Sequence, residues 1–280
     1  VYKRQVPGPP PPSSGAFSSE RPSPTNASDS ICMSSSPSHI PRESVDIART
    51  LRDVTLHIFR SSDDAGLSAR FAEGHRAVLR AAGIRNLTSF GKDWLGDPET
   101  TMFLLTCQDD EVLLSGMRLQ RRKGVASLPM ERAVGAVSPE LTSFLDARED
   151  QGCGEFCALW SRRETAVAGI GMLPMACVGL GLMPQLGIRH GFAFMSTNMR
   201  PIHRELGFTI MEGIGDEGQF DYPAPPIRSE IGHFQHPESI ADAAEDVQDM
   251  ARRAAEEPTH EHGVDGRFHR IRYRVENHMA

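Results

Sequence analysis

The chain has 280 residues, 39% of them hydrophobic and 6% aromatic, with 20 prolines, 5 cysteines and a formal net charge of −7. One or two domains with a sizeable core fit that length, and a collagen, a coiled coil and a small disulfide scaffold are excluded. Nucleic acid is not an expected partner, because only Arg118–Lys123 is locally basic. An odd cysteine count without a C-x-x-C pair fits a reducing, cytoplasmic compartment.

Residues 1–45 hold 9 Pro, 12 Ser and 2 Gly with no apolar period, which predicts a disordered leader. Residues 31–45 lack the apolar stretch of a signal peptide. Ser44–Arg60 reads as helical or partly extended. Ala65–Ala82 is an amphipathic helix with Leu67, Phe71, Val78 and Leu79 near one face. A polar stretch, Arg85–Thr100, precedes a strand hairpin, Thr101–Cys107 and Glu111–Gln120, turned at Gln108-Asp109-Asp110. Ser138 followed by Pro139 starts a helix that runs to Arg148.

Gly154–Ser161 reads as a strand. Thr165–Ile188 follows, 24 residues without a charge, which by length alone allow a membrane span. Pro174, Pro184 and five glycines argue instead for one buried core helix. Gly191–Ser196 is a strand, Asn198–Glu205 a short helix and Phe208–Met211 a last strand. Pro223, Pro225 and Pro226 are expected to end the compact region. Pro237–Glu257 reads as an acidic helix and residues 258–280 as a loosely held tail. The expected division is a leader at 1–45, a domain at 46–228 and an acidic helix and tail at 229–280. The order implies a mixed α/β sheet, parallel only near its middle.

Two places could carry chemistry. At the first, Trp160-Ser161-Arg162-Arg163 ends a strand and Gly169-Ile170-Gly171 opens the apolar helix. Glycines and a helix N-terminus suit a pyrophosphate, and two arginines add anion contacts. The same glycines also suit close packing of helix on sheet. At the second, Asn198-Met-Arg-Pro-Ile-His203-Arg-Glu-Leu-Gly207-Phe208 follows a strand. Period-2 alternation places Glu155, Cys157, Leu159 and Ser161 on one face. No metal site is expected. Cys153 and Cys157 lack a complementary pair, and His233/His236 and His260/His262 lie in acidic, low-complexity sequence.

The second place resembles the end of the GNAT N-acetyltransferase fold, in which a strand, an Asn and a short helix ending in Leu-Gly-Phe precede another strand. Upstream lie Asp93, Trp94 and Asp97, then Gly116-Met117-Arg118-Leu119, then Glu155 and Ser161-Arg162. That series is similar to the acyl-homoserine-lactone synthases and the related N-acyl amino acid synthases, over about residues 65–215. The resemblance implies a mixed, mostly antiparallel sheet flanked by helices. It implies transfer of an acyl group from acyl-CoA or acyl-carrier protein to a small-molecule amine, such as an amino acid or a homoserine-lactone precursor. No metal and no membrane span are part of it.

By that resemblance Glu155, Asp93 or Asp97 deprotonates the amine, and His203 or water protonates the leaving sulfur. Arg118 and Trp94 meet the acceptor, with Arg118 pairing a carboxylate or organising the acidic groups. Trp160, Ser161, Arg162, Arg163, Gly169, Gly171 and Asn198 hold the thioester. Met172, Leu173, Met175, Leu180, Leu182 and Met183 either line an acyl tunnel or pack the core. The chain departs from the pattern at three points. His203 stands where a Tyr is common, Leu159-Trp160 where Trp-Glu precedes Ser-Arg, and Ala166 where Gln or Arg is common. The same departures fit a protein that keeps the fold and binds or regulates without turnover.

Overall fold

A computed structural model describes residues 41–84, 88–107, 111–123 and 127–279. The expected leader up to residue 40 and the hairpin turn at 108–110 lie outside the described residues. Arg42–Thr50 forms α1 and Asp53–Arg60 forms β1, so the ambiguous segment Ser44–Arg60 is helix and then strand. The end of the expected leader belongs to α1, because Ala48 and Leu51 bury in the core and tie it down. Ala65–Ala81 is α2. Asp64 caps it, its carboxylate accepting the Leu67 N–H at 2.8 Å. Thr100–Cys107 and Val112–Arg121 are β2 and β3, and Pro129–Val134 and Pro139–Asp146 are α3 and α4.

Cys153–Ser161 is β4 and His190–Ser196 is β5. Between them the chain makes two helices, α5 (Arg163–Ala168) and α6 (Met172–Leu182), where one long helix was expected. Gly169 adopts φ 75°, a left-handed conformation that ends α5. Pro174 then lies in the first turn of α6, where no intrahelical donor is lost. The apolar stretch is buried because α9 (Glu245–Glu256) covers it. A Cβ on Gly181 would stand 2.1 Å from the Ala251 carbonyl oxygen, so a glycine is required for this approach. No helix among the described residues is long and apolar enough to cross a membrane.

Arg200–Glu205 is α7, Thr209–Ile210 β6, Gln219–Asp221 β7, Arg228–Gln235 β8 and Glu238–Asp242 α8. His260–Asp265 and Arg270–Asn277 are β9 and β10. Among the described residues ten strands form one sheet in the order β6-β8-β5-β4-β3-β2-β1-β10-β9, with β7 beside β8. Only β4/β5 and β1/β10 are parallel. The compact region therefore does not end at Pro223–Pro226, since β8 pairs along the whole of β5. The expected last strand, Phe208–Met211, shrinks to two residues beside β8.

Residues 258–280 are not a loose tail. Ile271, Tyr273 and Val275 are buried while Arg270, Arg272 and Arg274 face water, the alternation of a half-buried strand. Paired with β1 on one side and β9 on the other, β10 is an interior strand. Ile271→Ala should therefore cost about 2–5 kcal/mol in urea unfolding. A change within about 0.5 kcal/mol, the range of ordinary surface substitutions, would show that β10 does not pack.

Candidate active site

Cys153 to Phe156 of β4 run in parallel register with His190 to Ala193 of β5. The ladder stops there, although β4 continues to Ser161 and β5 to Ser196. On its other edge β4 slips against β3. Gly116 faces Trp160 and Arg118 faces Cys157, so β4 carries one extra residue between them. Ala158 lies at the slip with φ 50°. A bulge bends its strand and re-aims the side chains beyond it, and here β4 and β5 part.

The bulge also overturns the expected face. Cys157 and Trp160 both turn toward α2, with Ala158 and Trp160 in the cluster around Phe71. Leu159 packs into the opposite core with Phe156. Ser161 turns that way too, its hydroxyl 2.7 Å from that of Ser115. Glu155, Cys157, Leu159 and Ser161 therefore do not share a face.

Beneath α2 the sheet holds a buried polar group. Arg118 is 0% exposed, and its guanidinium carbon lies 4.4 Å from the centre of the Trp94 ring. A desolvated cation over an indole face is stabilised by the ring quadrupole. Phe71 meets Trp94 and Trp160 edge-on, at 5.8 and 5.9 Å between ring centres. A Cβ on Gly116 would stand 2.6 Å from both the Phe71 ring and the Trp160 ring nitrogen, so only glycine admits this packing.

Glu155 is 3% exposed, and its Oε2 accepts the Met130 N–H at 2.8 Å. Burial pushes its pKa up to about 8, against the Met130 hydrogen bond and the charges of Arg118 and Arg132. Burial likewise pushes the Cys157 thiol up to about 12, opposed by Arg118. His75 falls to about 3 through burial and then the charges of Arg118 and Arg76, so it is neutral beside this group.

The expected site residues divide. Glu155, Arg118 and Trp94 come together, and Asp93 joins them through Arg132, 3.2 Å away. Arg118 is sealed under Trp94 and does not present itself to a substrate carboxylate. Asp97 takes no part: its carboxylate accepts the Glu99 N–H and the Thr100 hydroxyl, each at 3.0 Å, and caps the turn into β2. Trp160 is buried against Phe71 and Gly74. Arg162 and Arg163 are exposed at the parted end of β4. Gly169 turns the chain between α5 and α6, and a Cβ on Gly171 would stand 2.6 Å from the Ser161 hydroxyl. Close packing is thus visible at Gly171, and a left-handed turn at Gly169.

Asn198 is exposed in the turn after β5. His203 is not a surface histidine. It is fully buried, stacked on Phe208 at 5.3 Å, and burial lowers its pKa to about 4. A neutral, enclosed imidazole is a poor proton donor to a thiolate. Met175, Leu180, Leu182 and Met183 are core residues, with Leu173 packed against them. His75 and the Met130 N–H went unnoticed in the sequence. His75 follows Phe71 by one helical turn on a buried stripe, a detectable signal, whereas nothing marks Met130.

No family model and no curated protein matches the chain. Solved structures do. FeeM, an N-acyl amino acid synthase from uncultured soil microbes, superposes with a TM-score of 0.52 at 20% identity, covering 69% of this chain and 96% of FeeM. The chain shares the fold of FeeM. That fold agrees with the mixed, mostly antiparallel sheet flanked by helices that the resemblance implied. Looser likenesses include the CoA-dependent acyl-homoserine lactone synthase BjaI, at TM-score 0.46 and 13% identity over 81% of this chain and 94% of BjaI. TofI follows at TM-score 0.47 and 11% identity, over 69% and 99%.

The Glu155 carboxyl gives a testable sign. Its folded pKa of about 8 lies above the ordinary 4.5, so the native state keeps a proton that the unfolded state loses. Stability from this group is present below pH 4.5 and lost as pH rises toward 8. Glu155→Gln should therefore gain stability relative to the parent between pH 5 and 8.5, measured by urea unfolding. Identical pH dependence in the two proteins would show that Glu155 ionises normally.

Proposed function

We propose that the protein is an N-acyltransferase that moves an acyl group from an acyl thioester to the amine of a small molecule such as an amino acid. The observation that carries this reading is a buried, proton-holding carboxyl, Glu155, at the root of the parted β4/β5 pair. The likeness to FeeM supports it through the fold alone.

The thioester enters where β4 and β5 no longer pair. The Arg162 N–H is taken by the Leu114 carbonyl at 2.9 Å. Strand alternation then turns the Ser161 and Leu159 N–H groups toward the parted edge, where they polarise the thioester carbonyl. The amine nitrogen attacks that carbon. A C–N bond forms, the C–S bond breaks, and the amine proton passes to ionised Glu155 directly or through water. The thiolate leaves and is protonated by water. A base of pKa about 8 is well matched to an ammonium acceptor, which must lose a proton before it attacks. Arg118 is a positioning residue, holding Trp94 and the Glu155 charge. Arg162 and Arg163 meet the phosphates of CoA or of a carrier-protein arm. Free thiols at Cys107, Cys153, Cys157 and Cys177 support a cytoplasmic location.

Incubation with acyl-CoA or acyl-carrier protein and a panel of amines should release thiol in step with N-acyl product. Donor binding without release from any donor would leave the ligand-binding reading, which the burial of Glu155 also fits. The parent's rate should rise with pH toward 8, and Glu155→Gln should lower kcat by about 10²–10⁴ and abolish that rise. An undiminished rate would remove Glu155 as the base. Arg118→Met should shift the pH–rate profile, because a charge beside Glu155 is lost, and an unmoved profile would reduce Arg118 to packing.

A further inference from the structure

We propose that His57, Glu276 and His278 form a zinc site that ties β10 to β1, on the half of the sheet away from the parted strands. The parallel register of β1 and β10 sets His57 opposite Glu276. Pairing continues past β10, the His278 N–H donating to the Ile58 carbonyl at 2.8 Å, so Glu276 and His278 stay two residues apart on one face.

The ligand atoms already converge. His57 Nδ1 lies 3.3 Å from His278 Nε2 and 3.6 Å from Glu276 Oε2, and His278 Nε2 lies 3.9 Å from the same oxygen. Tetrahedral zinc with bonds of about 2.0–2.1 Å spaces its donor atoms about 3.3–3.5 Å apart. Two imidazoles and a carboxylate are a set that zinc accepts, with water in the fourth position. Among the described residues this is the single group of three or more such side chains whose ligand atoms meet.

The surroundings prepare each ligand. His57 Nε2 lies 3.2 Å from the Thr106 hydroxyl, which itself donates to the Thr55 carbonyl at 3.3 Å. With its proton so committed, Thr106 accepts from Nε2–H, and the Nδ1 lone pair of His57 faces the other two ligands. An outer hydrogen bond that sets the tautomer is a regular feature of histidine metal sites. Arg274 approaches the other oxygen of Glu276, at 4.0 Å, while its Nε donates to Glu261 at 2.8 Å. Oε2 is left to the ion. The side chains of Glu276 and His278 are 33% and 48% exposed, which gives an ion access.

The test uses the full chain, stripped with chelator and titrated with Zn²⁺, with Co²⁺ as a spectroscopic probe. One equivalent should bind at micromolar affinity or tighter, give the visible absorption of tetrahedral cobalt and raise the unfolding temperature. Outer-sphere changes at such sites cost about 10–100-fold in affinity, so losing a direct ligand in His278→Ala or Glu276→Gln should cost at least as much. His233→Ala and His262→Ala should bind like the parent. His278 is half exposed, and metal-free His278→Ala should match the metal-free parent in its urea midpoint. If it does not fold, Glu276→Gln carries the test. No saturable binding by the parent, or binding that survives both ligand substitutions, would overturn the site.

Discussion

One extra residue in β4 separates two halves of a sheet that would otherwise pair without interruption. Where Gly116 faces Trp160 and Arg118 faces Cys157, the β3/β4 register has slipped, with Ala158 at positive φ. A strand cannot carry such a slip and remain flat, because the unpaired residue increases twist and bends the chain. Three features depend on it. β4 leaves β5 after Phe156, Trp160 swings under α2, and Ser161 turns to the opposite face beneath the start of α6.

The slip places the polar residues of β3 and β4 in a region with little water. Burying the Arg118 charge is costly unless its surroundings compensate it. Here the indole of Trp94 lies over the guanidinium, and Glu155 and Cys157 lie within its field. Glu155 responds to burial more than to Arg118 and keeps its proton to an unusually high pH. Cys157 and His75 respond in the same sense and stay neutral. The cluster thus sets the buried Arg118 charge beside a carboxyl whose pKa is raised to about 8.

The far half of the sheet is organised by the end of the chain. β10 enters beside β1, more than two hundred residues away in sequence, and its apolar face completes the core under α6 and α9. On its other face Glu276 and His278 meet at His57. The two ends of the described chain are therefore held by one ladder, while the parted strands lie several strands away across β2 and β3.

Local patterns in the sequence were enough for much of this. The 3.6-residue period of α2, the strand-like runs of β2 and β3 and the Ser138-Pro139 helix start are properties of neighbouring residues, and they appear where expected. The order of elements was legible for the same reason, whereas the meeting of Trp94, Arg118 and Glu155 is a product of the fold. Tertiary contacts decided the rest. The strand alternation Ile271-Arg-Tyr-Arg-Val was present in the sequence, but charged residues at every second position read as a tail until β1 covered its backbone edge. Gly169 marks a helix break only because its φ is positive, and Arg118 is buried with Trp94 closed over it, which no local pattern announces. The resemblance makes His203 a proton donor on a short helix, and its burial against Phe208 makes it a core residue. The slip at Ala158 leaves no mark in residue types, since it is a matter of register between two strands. The meeting of His57 with His278 likewise depends on strand pairing across 221 residues, a distance at which composition and spacing carry no information.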